Sequence, residues 1–143
     1  ELGFMRETLE PELTRRATQR MDSDWLESLK TCDAALNQAI DRGDVGGYLM
    51  HNYRFHAMIY ELADAPIMAS TVDQLWLRFG PSLRVVCGRY GTSNLPDKHV
   101  ELLAAFAAGD APLAGKVMAD DVAQGMTQIR AALDGQPGAR LVD

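Results

Sequence analysis

The sequence lacks the features that mark several common classes of protein. Its two cysteines, Cys32 and Cys87, are far apart and form no CxxC or Cys/His spacing, which excludes a zinc finger and favours a reducing, cytoplasmic compartment. No apolar run approaches the roughly 20 residues that a membrane helix needs, so no membrane association is expected. With a net charge of −6, the chain also lacks the basic surface that supplies most of the affinity for nucleic acid phosphates.

Helical periodicity is the main positive signal. The chain has 143 residues, 47% of them hydrophobic, which is enough for one compact domain with its own core. Glycine and proline divide it into segments with apolar residues at helical spacing, at about residues 2–21, 23–41, 45–64, 66–90, 96–108 and 111–133. The sequence therefore predicts an all-α fold, an antiparallel bundle of about six helices over residues 1–134, followed by a flexible tail at residues 135–143.

Four polar residues fall on otherwise apolar faces of three predicted helices. Asn52 and His56 are four residues apart and point the same way, His99 leads the apolar face of the fifth helix, and Asp121 lies on that of the sixth. Because a buried polar group is costly unless it is paired, convergence on one transition-metal ion would satisfy all four side chains. One alternative stays open, in which the histidines are ordinary core residues bonded to the backbone or to Asp121. Asp121 could also be a solvated surface residue.

Several short elements together resemble a known family. They are a first helix with an Arg followed four residues on by a Glu, an NYRFH segment at 52–56, a KH pair at 98–99 with AAGD at 107–110, and MADDV at 118–122. Over nearly the whole chain these elements resemble the C-terminal effector-binding domain, the FCD domain, of FadR-type regulators in the GntR family of bacterial transcription factors. The corresponding family elements are Asp-x-x-Phe-His, a His with a Gly-Asp helix break, and Met-x-x-His-Leu.

The resemblance implies a divalent metal site with one Asp and three His. This sequence departs from that set twice, since Asn52 stands where Asp is usual and Asp121 stands where the last His is usual. One carboxylate therefore remains, on a different helix. The ligand set implied for this chain is Asn52, His56, His99 and Asp121, with Zn²⁺ as the expected ion and Ni²⁺ or Mn²⁺ as alternatives.

The resemblance also implies that a small organic acid binds at or beside the metal. Arg6 matches the family's first-helix arginine and has the planar fork that suits a carboxylate, although a surface pair with Glu10 is an equal alternative. Arg84 on the fourth helix and Tyr48 near the metal pair are the other candidates for effector contacts, with core packing as the alternative for Tyr48.

As a whole, the resemblance implies a cytoplasmic, dimeric regulator that is not an enzyme. Effector binding would shift the helix positions and pass the signal to a winged-helix DNA-binding domain, which is expected to be absent from this chain. Two rival functions remain. One is a metal-free ligand-binding or dimerisation module, and the other is a mononuclear metalloenzyme, which is disfavoured because no Glu-x-x-His motif or nucleophile arrangement stands out.

Overall fold

The computed structural model describes residues 1–90 and 97–134, which form a bundle of α-helices. These are α1 Leu2–Thr18, α2 Ser23–Asp41, α3 Val45–Leu62, α4 Pro66–Tyr90, α5 His99–Ala108 and α6 Ala111–Leu133. No strand occurs in the described ranges, and the predicted all-α bundle of six helices is confirmed. The fifth helix begins at His99, a few residues later than predicted. The predicted tail at residues 135–143 lies outside the described residues.

Local signals in the sequence set several of the helix ends. Helices α2, α3 and α6 each begin after an aspartate whose carboxylate accepts the backbone N–H three residues on, over 2.8–3.0 Å: Asp22, Asp44 and Asp110. Helix α5 ends at Gly109, whose φ of 66° lies in the left-handed region that favours glycine. The Gly109–Asp110 pair therefore ends one helix and starts the next.

The core draws on all six helices. Helix α1 packs mainly on α6 and also contacts α3 and α4, while α2 packs on α3 and α5. The largest fully buried apolar side chains are Phe55, Leu13, Leu29, Leu36, Ile59, Leu102 and Met118. Each contributes about 1.5–3 kcal/mol of hydrophobic stabilisation. None of the described helices is both long and apolar enough to cross a membrane.

Helix α1 buries Leu13 and Ala17 of its apolar row and, beside them, a row of polar residues. Met5, which has the same apolar spacing, is 39% exposed. The buried polar row has four-residue spacing and consists of Arg6, Glu10, Thr14 and Thr18. This face can be buried because its polar groups are satisfied internally. The hydroxyl of Thr14 donates to the Glu10 carbonyl, and that of Thr18 donates to the Thr14 carbonyl, both over 2.8 Å.

Candidate metal and effector site

A small cavity of about 40 Å³ lies among α1, α3, α4 and α6. Since one water needs roughly 10–15 Å³, it has room for about three. Its described lining consists of Arg6, Tyr48, Asn52, His56, Trp76, Phe79, Leu83, Asp97, Asp121, Val122, Gly125 and Gln128. Five of the predicted site residues therefore share one cavity. His99 does not line it, but its ring centroid lies 5.4 Å from that of His56.

His56 and Asp121 face each other across this cavity. Nε2 of His56 lies 3.5 Å from Oδ2 of Asp121, and the other carboxylate oxygen accepts the backbone N–H of Lys98 at 3.0 Å. Burial, reinforced by the nearby carboxylates of Asp97 and Glu10, raises the pKa of Asp121 to about 6. Asp121 is thus a core carboxylate, and the alternative that it is solvated is wrong.

A chain of buried polar contacts orients the His56 ring. Arg6 Nε donates to Glu10 at 2.6 Å, the Tyr60 hydroxyl donates to the same carboxylate at 2.5 Å, and His56 Nδ1 lies 3.1 Å from that hydroxyl. Because Tyr60 gives its one proton to Glu10, it can only accept from His56, so the imidazole proton lies on Nδ1. Burial lowers the pKa of His56 well below its usual range, which keeps the ring neutral and leaves Nε2 as a lone pair.

His99 is oriented in the same way by a carboxylate on another helix. Its Nδ1 lies 2.8 Å from Oδ1 of Asp33, and its ring stacks on Phe55 with centroids 3.8 Å apart. Burial alone lowers the pKa of His99, but the hydrogen bond to Asp33 and the carboxylates of Asp97 and Asp121 outweigh it and raise the pKa. Nε2 of His99 is buried and has no hydrogen-bond partner among the residues described.

These donors fit a transition-metal ion in type and approximate spacing. Two donors that share one ion at tetrahedral angles lie about 3.4 Å apart, close to the 3.5 Å between His56 and Asp121. Two imidazoles bound to one ion through Nε2 have centroids about 5 Å apart, close to the 5.4 Å between His56 and His99. Across residues 1–90 and 97–134, however, no three His, Cys, Asp or Glu side chains are spaced as they stand to hold an ion. The donor atoms are therefore near one another, but they are not yet at the mutual distances that one bound ion requires.

Arg6 belongs to the wall of the cavity. It is 3% exposed, and its Nε and Nη2 bond to Glu10 at 2.6 and 3.3 Å. Its guanidinium lies 4.1 Å from the ring centroid of Phe79 and 5.0 Å from that of Trp76, and Nη1 contacts the sulfur of Met126 at 3.7 Å. The Arg6–Glu10 pair considered from the sequence exists, but it is buried and not on the surface.

The two remaining effector candidates differ in position. Tyr48 is buried in the cavity wall, and burial raises its pKa well above the usual range. The side chain of Arg84 is exposed and does not belong to the described lining, so the structure does not bring it to the site.

The sequence reasoning missed several residues of the site. Asp97 and Gln128 line the cavity, and Tyr60 and Asp33 hold the two histidines. Tyr60 follows His56 by four residues, so helical spacing offered a signal for it. The only sequence signal for Asp33 is that it follows Cys32, a residue of an apolar stripe. Its partner His99 is far away in sequence.

Comparison with known proteins gives consistent matches. A family model for the FCD domain matches residues 1–124. The HTH-type transcriptional regulator McbR of Escherichia coli strain K12 is 30% identical over 114 residues, covering 77% of this chain and 51% of that protein. The solved structure of E. coli McbR/YncC superposes with a TM-score of 0.85 at 26% identity, covering 91% of this chain and 66% of that one. The chain thus spans about half the length of the curated relative it matches.

Proposed function

Since the chain belongs to the FCD domain family, we propose that it is the sensing domain of a transcriptional regulator, in which a small organic acid binds at or beside a divalent metal ion. The relative named above is a transcriptional regulator, which favours regulation over catalysis. The expectation that the chain is not an enzyme agrees with this comparison.

The observation that best supports a metal is the state of the two imidazoles. His56 and His99 each have Nδ1 engaged, by Tyr60 and Asp33, so in the neutral rings both Nε2 atoms carry a lone pair. A lone pair 3.5 Å from the carboxylate of Asp121 is electrostatically unfavourable unless a cation or proton lies between them. Histidines held through Nδ1 by a carboxylate or another acceptor are a common arrangement around protein-bound metal ions.

The charges around the cavity support the same proposal. The carboxylates of Glu10, Asp97 and Asp121 lie on or next to the cavity, whereas Arg6 supplies the one guanidinium in its described lining. This excess of negative charge disfavours an organic anion by itself. A divalent cation would offset the excess and make the cavity acceptable to a carboxylate.

The proposed ligands are His56, His99, Asp121 and the side-chain oxygen of Asn52. Zn²⁺ is the expected ion, with Ni²⁺ and Mn²⁺ as alternatives, and when bound it would supply a Lewis-acidic position for a carboxylate. Arg6 and Tyr48 would direct N–H and O–H donors at the acid from the same cavity wall. Arg84 is left out of these contacts because its side chain is exposed.

The partners of the domain are part of the proposal. We expect a cytoplasmic homodimer that reaches DNA through a separate domain. Three observations support DNA contact outside the domain. McbR is named as an HTH-type regulator, this chain covers about half of that protein, and the net charge of this chain is −6. Effector binding would favour one arrangement of the helices and so change the affinity for DNA.

A metal-free ligand-binding module is the second candidate. The observation in its favour is that no three metal-binding side chains are spaced as they stand to hold an ion among the described residues. The raised pKa of His99 also lets a protonated imidazole offset part of the negative charge. In that case the acid would bind to Arg6 directly, with the charge of His99 close by.

Metal analysis combined with thermal unfolding separates the two candidates. Protein purified without chelator is expected to hold about one equivalent of metal, and zinc is expected to raise Tm after chelator treatment, because a ligand of the folded state stabilises it. His56→Ala and His99→Ala are expected to abolish the zinc shift. His51→Ala is the matched control, since His51 lies outside the cavity lining and should keep the shift. Absence of metal together with an unchanged response in both cavity variants would overturn the metal site.

A further inference from the structure

Two hydrogen-bond donors in the cavity wall have no oxygen acceptor within residues 1–90 and 97–134. Nε2 of Gln128 is buried without a partner among the described residues, in a side chain only 6% exposed. Nη1 of Arg6 donates to the sulfur of Met126 at 3.7 Å, and sulfur is a weak acceptor. A buried donor without an acceptor is unfavourable, so this pair of donors suits an oxygen-bearing group of a ligand.

Next to these donors, the α6 helix leaves an open strip. Asp121, Gly125 and Gln128 lie at positions i, i+4 and i+7, and all three line the cavity. Apart from the chain neighbours of Gly125 and the backbone of α6 itself, no heavy atom of the described residues lies within 4 Å of the point where a Cβ on Gly125 would stand. Glycine is one of the weakest helix formers, and neither close packing nor backbone conformation requires it at this position. With respect to the described residues, the space beside its backbone is therefore open.

We propose that this strip is a second subsite of the effector cavity, in which Gln128 Nε2 and Arg6 Nη1 bind an oxygen-bearing group at the far end of the acid. The inference rests on the proposed function, in which a carboxylate occupies the end of the cavity near His56 and Asp121. It adds the chemical class of the effector, which is a small acid with an oxygen-bearing group at each end, such as a dicarboxylate.

Distance and volume limit the size of this acid. Asp121 and Gln128 are separated by about 10 Å along the helix axis, and both side chains extend into the cavity between them. The cavity of about 40 Å³ has room for about three waters. The small volume therefore favours the shortest dicarboxylates, with one or two carbons between the two carboxylates.

Calorimetry with zinc-loaded protein and three probes, acetate, malonate and succinate, tests the subsite. A dicarboxylate is expected to bind at least about tenfold more tightly than acetate, because only it reaches the second pair of donors. Gln128→Leu is expected to remove this preference. Gln124→Leu is the matched control, because Gln124 is a partly buried glutamine on the same helix outside the cavity lining, and it should keep the preference.

Gly125→Ala tests the open strip independently. Without acid, this variant is expected to raise Tm by a few degrees, because the new methyl group meets no described atom and alanine favours the helix. It is expected to weaken dicarboxylate binding at least about tenfold, since the methyl group fills the ligand's space. Gly46→Ala, at an exposed position in the first turn of α3, is the control and should leave acid binding unchanged.

The outcomes separate the subsite from the function on which it rests. Equal binding of acetate and the dicarboxylates, or a dicarboxylate preference that survives both Gln128→Leu and Gly125→Ala, overturns the subsite and leaves an acid-binding metal site intact. If none of the three acids binds the zinc-loaded protein, both proposals are overturned.

Discussion

The imidazole of His99 lies 2.8 Å from a carboxylate oxygen of Asp33, and this contact joins α5 to α2 inside the core. It places a ring proton on Nδ1, toward Asp33, so that in the neutral ring Nε2 carries no proton. Contacts of this kind orient metal-binding histidines and raise their basicity. Asp33 is therefore a positioning residue of the proposed site, although it lies outside the cavity lining.

Asp33→Ala is expected to weaken zinc binding by about 10- to 100-fold, because the His99 ring loses the group that orients it. Competition with a chromophoric chelator measures the change. Asp41→Ala, an exposed position on the same helix, is the control and should have no effect. Wild-type zinc affinity in the Asp33 variant would contradict this role.

Tyr60→Phe is expected to reduce the free energy of unfolding by about 1–3 kcal/mol, because buried Glu10 loses a donor and His56 loses its acceptor. Urea denaturation measures this loss. Tyr53→Phe removes a hydrogen bond to Asp73 at a 39% exposed residue and should cost less than about 1 kcal/mol. Equal losses in the two variants would show that the buried hydrogen bonds of Tyr60 contribute no more to stability than an exposed one.

Asp121→Asn is expected to stabilise the metal-free protein at neutral pH. The pKa of Asp121 is raised from its ordinary value of 3.8 to about 6, so between these values the folded state binds more protons than the unfolded state. Its contribution to stability is present below pH 4 and is lost as pH rises toward 6. At pH 7 burying the ionised carboxylate costs about 3 kcal/mol, a cost that the neutral amide of Asn avoids.

Urea denaturation of chelator-treated protein at several pH values tests this sign. The difference in stability between Asp121→Asn and wild type should grow from pH 4 to pH 6 and stay constant above. Zinc should stabilise the wild type and leave the variant unchanged. A difference that is independent of pH would mean that Asp121 is not protonated preferentially in the folded state.

Arg6→Lys is expected to lower the affinity for an organic acid by about tenfold. The guanidinium of Arg6 bonds to Glu10 twice and still has Nη1 to offer the acid, whereas one ammonium group cannot make all of these contacts. Arg84→Lys should keep the affinity within about twofold, since that side chain is exposed. Calorimetry with malonate on zinc-loaded protein measures both variants. A larger loss in the Arg84 variant would restore that residue as an effector contact.

Most of the fold could be predicted because its signals are local. Asp44 and Asp110 mark helix starts, and Gly109 marks an end, each through contacts within a few residues. The apolar spacing in α3 likewise identified the face that buries Asn52 and His56. These features depend on the chain's own periodicity and need no knowledge of the neighbouring helices.

The site could be predicted only in part, because its contacts join distant segments. The sequence marked His99 as a buried polar residue, but only the packing of α2 on α5 shows that Asp33 binds it. In α1, apolar spacing identified Leu13 and Ala17 as core residues, but it gave no sign that the polar row of Arg6 and Glu10 is buried beside them. That row is stable inside because Tyr60, on another helix, supplies the remaining hydrogen bond.

The buried chain from Arg6 through Glu10 and Tyr60 to His56 also restricts how the helices can move. Apolar surfaces tolerate small sliding displacements, whereas hydrogen bonds of 2.5–3.1 Å lose most of their strength when a helix slides along its axis. Helix α1 can therefore keep its present register against α3 or leave it, with few stable positions between. A change at His56 would be transmitted to α1 as a discrete step and not as a gradual drift.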